Sequence, residues 1–134
     1  TDVNAIVHAH SPAATALSCL HKPLPAFHYM VALAGGTEIP CAGYATFGTE
    51  ALSQSVLAAL RVYKACLMAN HGQTATGKDL LSAYTLALEV ESLCDIYQRA
   101  TVLGEPVLLT AEQMQEAANA FSEYGQKTTR KTIK

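Results

Sequence analysis

The sequence predicts an α/β fold with its sheet buried between helices. Three observations carry the prediction. Half of the 134 residues are hydrophobic, enough for the core of one domain. Short apolar runs bounded by Gly, Pro and Asn interrupt stretches whose apolar residues recur at helical spacing. These two kinds of segment intermix along the chain rather than separating into halves.

The elements follow in order. Residues 3–10 alternate weakly and are rich in apolar and β-branched side chains, so they read as a strand. Ser11-Pro12 then starts a short Ala- and Leu-containing helix running to about residue 21, with Ser11 as its cap and Pro12 in its first turn. Pro23 and Pro25 break the pattern, and AFHYMVALA at 26–34 reads as a second strand closed by Gly35-Gly36. Residues 39–43 suggest a short strand. Gly48-Thr49-Glu50 opens a helix in which Leu52, Val56, Leu57, Leu60 and Tyr63 keep helical spacing. ACLMA at 65–69 is a buried strand, Asn70-His71-Gly72 a turn, and residues 73–76 a brief returning strand. The longest helix spans about 79–103 and ends at Gly104 and Pro106. Thr110, with Glu112 and Gln113 in the first turn, begins a last amphipathic helix to about residue 124.

Bulk properties narrow the function. The net charge is −2, and Lys and Arg are mostly scattered, which argues against nucleic acid as the main partner. The one basic run, residues 127–134, reads as a frayed tail. No apolar run approaches membrane-spanning length. Cys19, Cys41, Cys66 and Cys94 form no CxxC pair and lie in largely apolar contexts, as reduced thiols of a cytoplasmic protein do. The chain has no initiator Met and enters a core strand within three residues, so the expectation is a single domain that is either processed or lacks an N-terminal part.

The chemistry lies in the histidines. In IVHAHSP, His8 and His10 stand two apart on a strand and so point to one face, about 6–7 Å apart at the base. Two imidazoles at that spacing can converge on one metal ion, and zinc takes neutral imidazole readily. Two histidines hydrogen-bonded near a strand end would give the same letters. His71 is the best third ligand: it follows a buried strand and precedes Gly72, whose missing side chain leaves room at a tight turn. Three histidines with an open position make a catalytic zinc site. A turn histidine bonded to a carbonyl is the competing reading for His71. His21 reads as solvated. His28 and Tyr29, neighbours on an expected strand, would point to opposite faces, so only one of them could face a pocket.

Three stretches, DVNAIVHAHSPAATALS, PAFHYMVALAGGTEIPCAGYATFGT and NHGQTATGKDLLSAYTLALEVESLCDIY, resemble the class II aldolase family of fuculose-phosphate aldolase and ribulose-5-phosphate 4-epimerase. The likeness runs through essentially the whole chain. HYM, GG, IPCA and YATFGT are most similar to the fuculose-1-phosphate aldolase branch. The resemblance implies a three-layer fold with a central, largely antiparallel sheet flanked by helices. It also implies a zinc site from His8, His10 and His71, in agreement with the reading of the residues themselves. It implies a lyase that cleaves a ketose 1-phosphate to dihydroxyacetone phosphate and lactaldehyde, the metal stabilising an enediolate. Tyr29 matches a tyrosine that reaches a neighbouring subunit's site and protonates the aldehyde oxygen, within a homotetramer. Phe47, Phe121 and Tyr124 match aromatics that enclose the aldehyde.

The family's catalytic glutamate and its phosphate-binding loops lie upstream of HxH, so the 134 residues are expected to be about the C-terminal two-thirds of the domain. Glu38, Glu50, Glu89 and Glu91 match no base position. The alternatives on the same scaffold are a 4-epimerase or a dehydratase; a third is a fragment that binds zinc without catalysis.

Overall fold

The computed structural model describes residues 3–124. The basic run at 127–134 lies outside the described residues, as does the side chain of Tyr124. Strand β1 (Ala5–Ala9) is followed by helix α1 (Pro12–Ser18), a 3₁₀-helix (Tyr29–Ala34), strand β2 (Cys41–Ala42), helix α2 (Glu50–Leu60), strands β3 (Ala65–Met68) and β4 (Gly72–Gly77), and helices α3 (Leu80–Leu103) and α4 (Ala111–Tyr124). The sheet order is β1-β4-β3-β2. The β1–β4 and β4–β3 pairs are antiparallel and β2–β3 is parallel, so the sheet is mixed and mainly antiparallel.

Alternation along the strands sorts the two faces. Val7, Ala75 and Ala65 lie in register across three strands, as do Ala9, Gln73 and Leu67. This face carries the core, closed by Ala14 and Leu17 of α1 and by Ala87, Val90 and Leu93 of α3. Helix α2 packs on β2 and β3. Cys66 and Met68, which alternation places on the face away from α3, are buried. Toward β1 that second face is open. Ile6 is 61% exposed, and His8 follows it on the same side.

Local chemistry explains most boundaries. Asp79 caps α3 by accepting from the Ser82 N–H at 2.7 Å. Thr110 and Gln113 form a reciprocal capping box at the start of α4: Gln113 Oε1 accepts from the Thr110 N–H at 2.8 Å, and Thr110 Oγ1 from the Gln113 N–H at 3.2 Å. Thr49 caps α2 through the Leu52 N–H.

Two expectations need correction. Ser11 makes no capping bond. Instead the Glu91 carboxylate, from α3, accepts from the N–H groups of Ala13 and Ala14 at 2.7 and 2.8 Å. The negative charge sits at the positive end of α1, where it is favoured. Residues 26–34 are not a strand. Residues 29–34 form the 3₁₀-helix, capped by the His28 ring accepting from the Met30 N–H and ended by Gly35 at φ 95°. The apolar run lacks a period that separates a strand from a buried turn of helix. A bridge between Leu24 and Ile39 flanks this region, and the carbonyls of Ala26 and Ala34 accept from the Leu109 and Lys64 N–H groups.

All four cysteines are free. Burial pushes the Cys66 and Cys94 thiols up to about 12, which keeps them protonated and inert. Among the described residues, no helix is long and apolar enough to cross a membrane.

Candidate metal centre

His8 comes from β1, His10 from just beyond its end, and His71 from the three-residue turn that joins β3 to β4. Antiparallel pairing sets Ala9 opposite Gln73 and so brings the end of β1 beside the start of β4. The three rings stand 4.8 to 4.9 Å apart, centre to centre. One donor nitrogen from each lies within 4.8 Å of the other two.

The Gln73 carbonyl sets the proton on His8. Its Nδ1 lies 2.8 Å from the Gln73 carbonyl. A carbonyl only accepts, so Nδ1 carries the hydrogen and Nε2 keeps its lone pair. Nε2 of His8 is 3.1 Å from Nε2 of His10. Two nitrogens bound tetrahedrally to zinc at 2.0–2.1 Å would be about 3.3 Å apart, so the pair needs little movement to share an ion. Partial burial holds His71 below the usual imidazole range, and the neighbouring His8 and His10 push the same way. A neutral ring is the form that binds metal. The donor set therefore fits a divalent ion that accepts nitrogen.

Gly72 makes this approach possible. A Cβ there would lie 2.4 Å from the Ala9 carbonyl oxygen and 3.1 Å from Cδ2 of His10. Only glycine lets β4 begin this close to the HxH segment.

The histidines line a cleft of about 500 Å3 together with Tyr44, Phe47 and Asn70. Phe47 is thus beside the cluster, 80% exposed. Tyr44 and Asn70 were not singled out from the sequence. An aromatic in YATFGT, three positions before Phe47 between two glycines, was the available signal for Tyr44.

Tyr29 and Phe121 are elsewhere. Tyr29 is half exposed, stacks on His28 at 4.7 Å, and lies 5.9 Å from the Phe121 ring. His28 and Tyr29 therefore lie side by side rather than on opposite faces, because the chain turns from extended backbone at His28 into the 3₁₀-helix at Tyr29. Phe121 lines a separate cleft between the 3₁₀-helix and α4. Neither Tyr29 nor Phe121 lines the histidine cleft, and neither does any of Glu38, Glu50, Glu89 and Glu91. His21 is exposed but not simply solvated, since its ring is bonded to the Asn70 side chain.

Strand-end histidines converging from two segments of a mixed α/β sheet form a three-histidine cluster that could hold a metal ion. The chain belongs to the class II aldolase and adducin N-terminal domain family, whose model matches residues 1–98. It is 51% identical over 124 residues to a 5-methylthioribulose-1-phosphate/5-deoxyribulose-1-phosphate aldolase of Rhodospirillum rubrum, covering 92% of this chain and 56% of that protein. It is 46% identical over 125 residues to an L-fuculose phosphate aldolase of Escherichia coli, covering 92% of this chain and 58% of the relative. A solved L-fuculose 1-phosphate aldolase superposes with a TM-score of 0.87 at 44% identity, over 91% of this chain and 57% of that one. The chain thus spans a little over half the length of the curated relatives it matches.

Proposed function

We propose that the whole protein is a class II aldolase. It cleaves a ketose 1-phosphate into dihydroxyacetone phosphate and an aldehyde, with its metal centre on His8, His10 and His71. The observation that carries this reading is the convergence of those three imidazoles, within 4.8 Å of one another, in a chain of this family. Zinc suits an all-imidazole donor set with a position left open. A divalent ion held there supplies a Lewis acid for the negative charge that builds on substrate oxygens as the carbon–carbon bond breaks.

The chain's own residues do the rest. The Gln73 carbonyl keeps Nε2 of His8 facing the site. Phe47 and Tyr44, on the cleft wall, cover the apolar end of the aldehyde and exclude water from it. Tyr29 donates a proton to the departing aldehyde oxygen. Its exposure outside the histidine cleft supports donation from a neighbouring subunit of a homotetramer, with Phe121 carried alongside it and Tyr124 near the same helix end. A cytoplasmic location, where sugar phosphates are held, belongs to the same proposal.

The relatives split between two groups of substrate. L-fuculose 1-phosphate is one, and the 51% identity to a single member of the other group, the Rhodospirillum rubrum protein, supports a 5-deoxy- or 5-methylthioribulose 1-phosphate as the second reading. Dihydroxyacetone phosphate release from each of the three sugars, measured with the full-length protein, separates them. Chelator should abolish the activity and added zinc restore it. A zinc-loaded protein that releases nothing from any of them, but inverts or dehydrates a sugar phosphate, would sink the aldolase reading.

A further inference from the structure

His21 and Asn70 are the described non-glycine residues in the left-handed region, at φ 54° and 53°. They are far apart in sequence and bonded to each other. Nε2 of His21 meets Oδ1 of Asn70. Their backbones share one acceptor as well. The Ser18 carbonyl takes the His21 N–H at 3.1 Å and the Asn70 N–H at 3.3 Å. Ser18 is fully buried and ends α1. The turn that carries His71 is therefore tied to the C-terminal end of α1. The N-terminal end of the same helix begins two residues after His10. Helix α1 acts as a short strut with the HxH pair at one end and the His71 turn fastened at the other.

Left-handed backbone is disfavoured for residues with a Cβ, and Asn, Asp and His are those that adopt it most often, so a bond between two such residues helps hold both there. Asn70 tolerates the conformation, yet its side chain lines the histidine cleft and is the next residue to His71. Whatever fixes Asn70 fixes where the His71 ring starts. His21 is exposed and contributes nothing to the core, so its bond to Asn70 is the interaction it has to offer.

We propose that His21 is a positioning residue of the metal centre. Acting through Asn70, it clamps the β3–β4 turn to the end of α1 and keeps His71 in ligand reach of His8 and His10. The inference rests on the reading that the three histidines bind a divalent ion.

The test is zinc affinity, by competition with a chromophoric chelator, alongside thermal melting of the metal-free protein. His21→Ala should weaken zinc by about 10-fold, the lower end of what outer-shell partners contribute, with metal-free melting unchanged. His21→Gln, whose amide can still donate to Oδ1, should recover most of that loss. Asn70→Gly removes the side chain while accepting positive φ, and should match His21→Ala. The double variant should lose no more than either single one. Wild-type zinc affinity in His21→Ala would overturn the inference and leave the metal site standing. So would a zinc loss matched by a lower metal-free melting temperature, since His21 would then serve stability alone. A wild-type protein that binds no zinc overturns the metal reading itself, and this inference with it.

Discussion

Nδ1 of His8 donates to the carbonyl of Gln73 at 2.8 Å, and Gln73 is the strand partner of the next residue, Ala9. The ladder that builds the sheet thus also chooses the tautomer of a candidate metal ligand. Zinc-loaded protein should show His8 bound through Nε2 with a protonated Nδ1, in long-range nitrogen–proton NMR spectra. Coordination through Nδ1 would contradict it. His8→Ala or His71→Ala should weaken zinc by more than about 100-fold, beyond the range of outer-shell changes.

Gly72→Ala should destabilise the protein by about 1–3 kcal/mol, the usual cost of forcing volume into a packed position. The added carbon would meet the Ala9 carbonyl at 2.4 Å, a backbone atom that a side-chain rotation cannot move away. Urea unfolding of the metal-free protein measures the cost, and zinc affinity should fall as well because Cδ2 of His10 is the next atom struck. A variant as stable as wild type would show that β1 and β4 can part without consequence.

Glu91 is predicted to be a helix cap rather than a base. Its two oxygens take the Ala13 and Ala14 N–H groups, and replacing it with Ala leaves both donors unpaired in a half-buried place. The expected cost is about 1–3 kcal/mol. Glu91→Gln keeps one acceptor and should fall between the two. In the full-length protein neither variant should alter the pH dependence of turnover. A shifted pH profile would point to a proton-transfer role instead.

Tyr29→Phe in the full-length protein should slow cleavage by about 10²–10⁴-fold, the range of a lost general acid, with zinc content unchanged. Mixing it with inactive His8→Ala protein should restore part of the activity, because some interfaces in mixed rings then hold both intact residues. No recovery in rings verified to be mixed would argue that each subunit uses its own tyrosine.

Several features were legible from the letters alone. The capping box at Thr110, the Asp79 start of α3, and the common face of His8 and His10 depend on residues two to four apart, and local geometry settles such spacings. Gly72 was readable as a point of close approach because glycine is the one residue that vacates it. Tertiary structure decided what depended on distant partners. Glu91 reached α1 across 78 positions and displaced the cap that Ser11 offered locally. His21 found Asn70 across 49 positions, so a histidine read as solvated became half of a clamp. The run at 26–34 became 3₁₀ rather than strand, because an apolar stretch without a period takes the conformation its surroundings leave open. In that conformation Tyr29 stacks on His28 and lies beside Phe121, while Tyr44 and Phe47 line the histidine cleft. Residue type restricts what each side chain can do, but only the packed fold brings together groups that the chain keeps tens of residues apart.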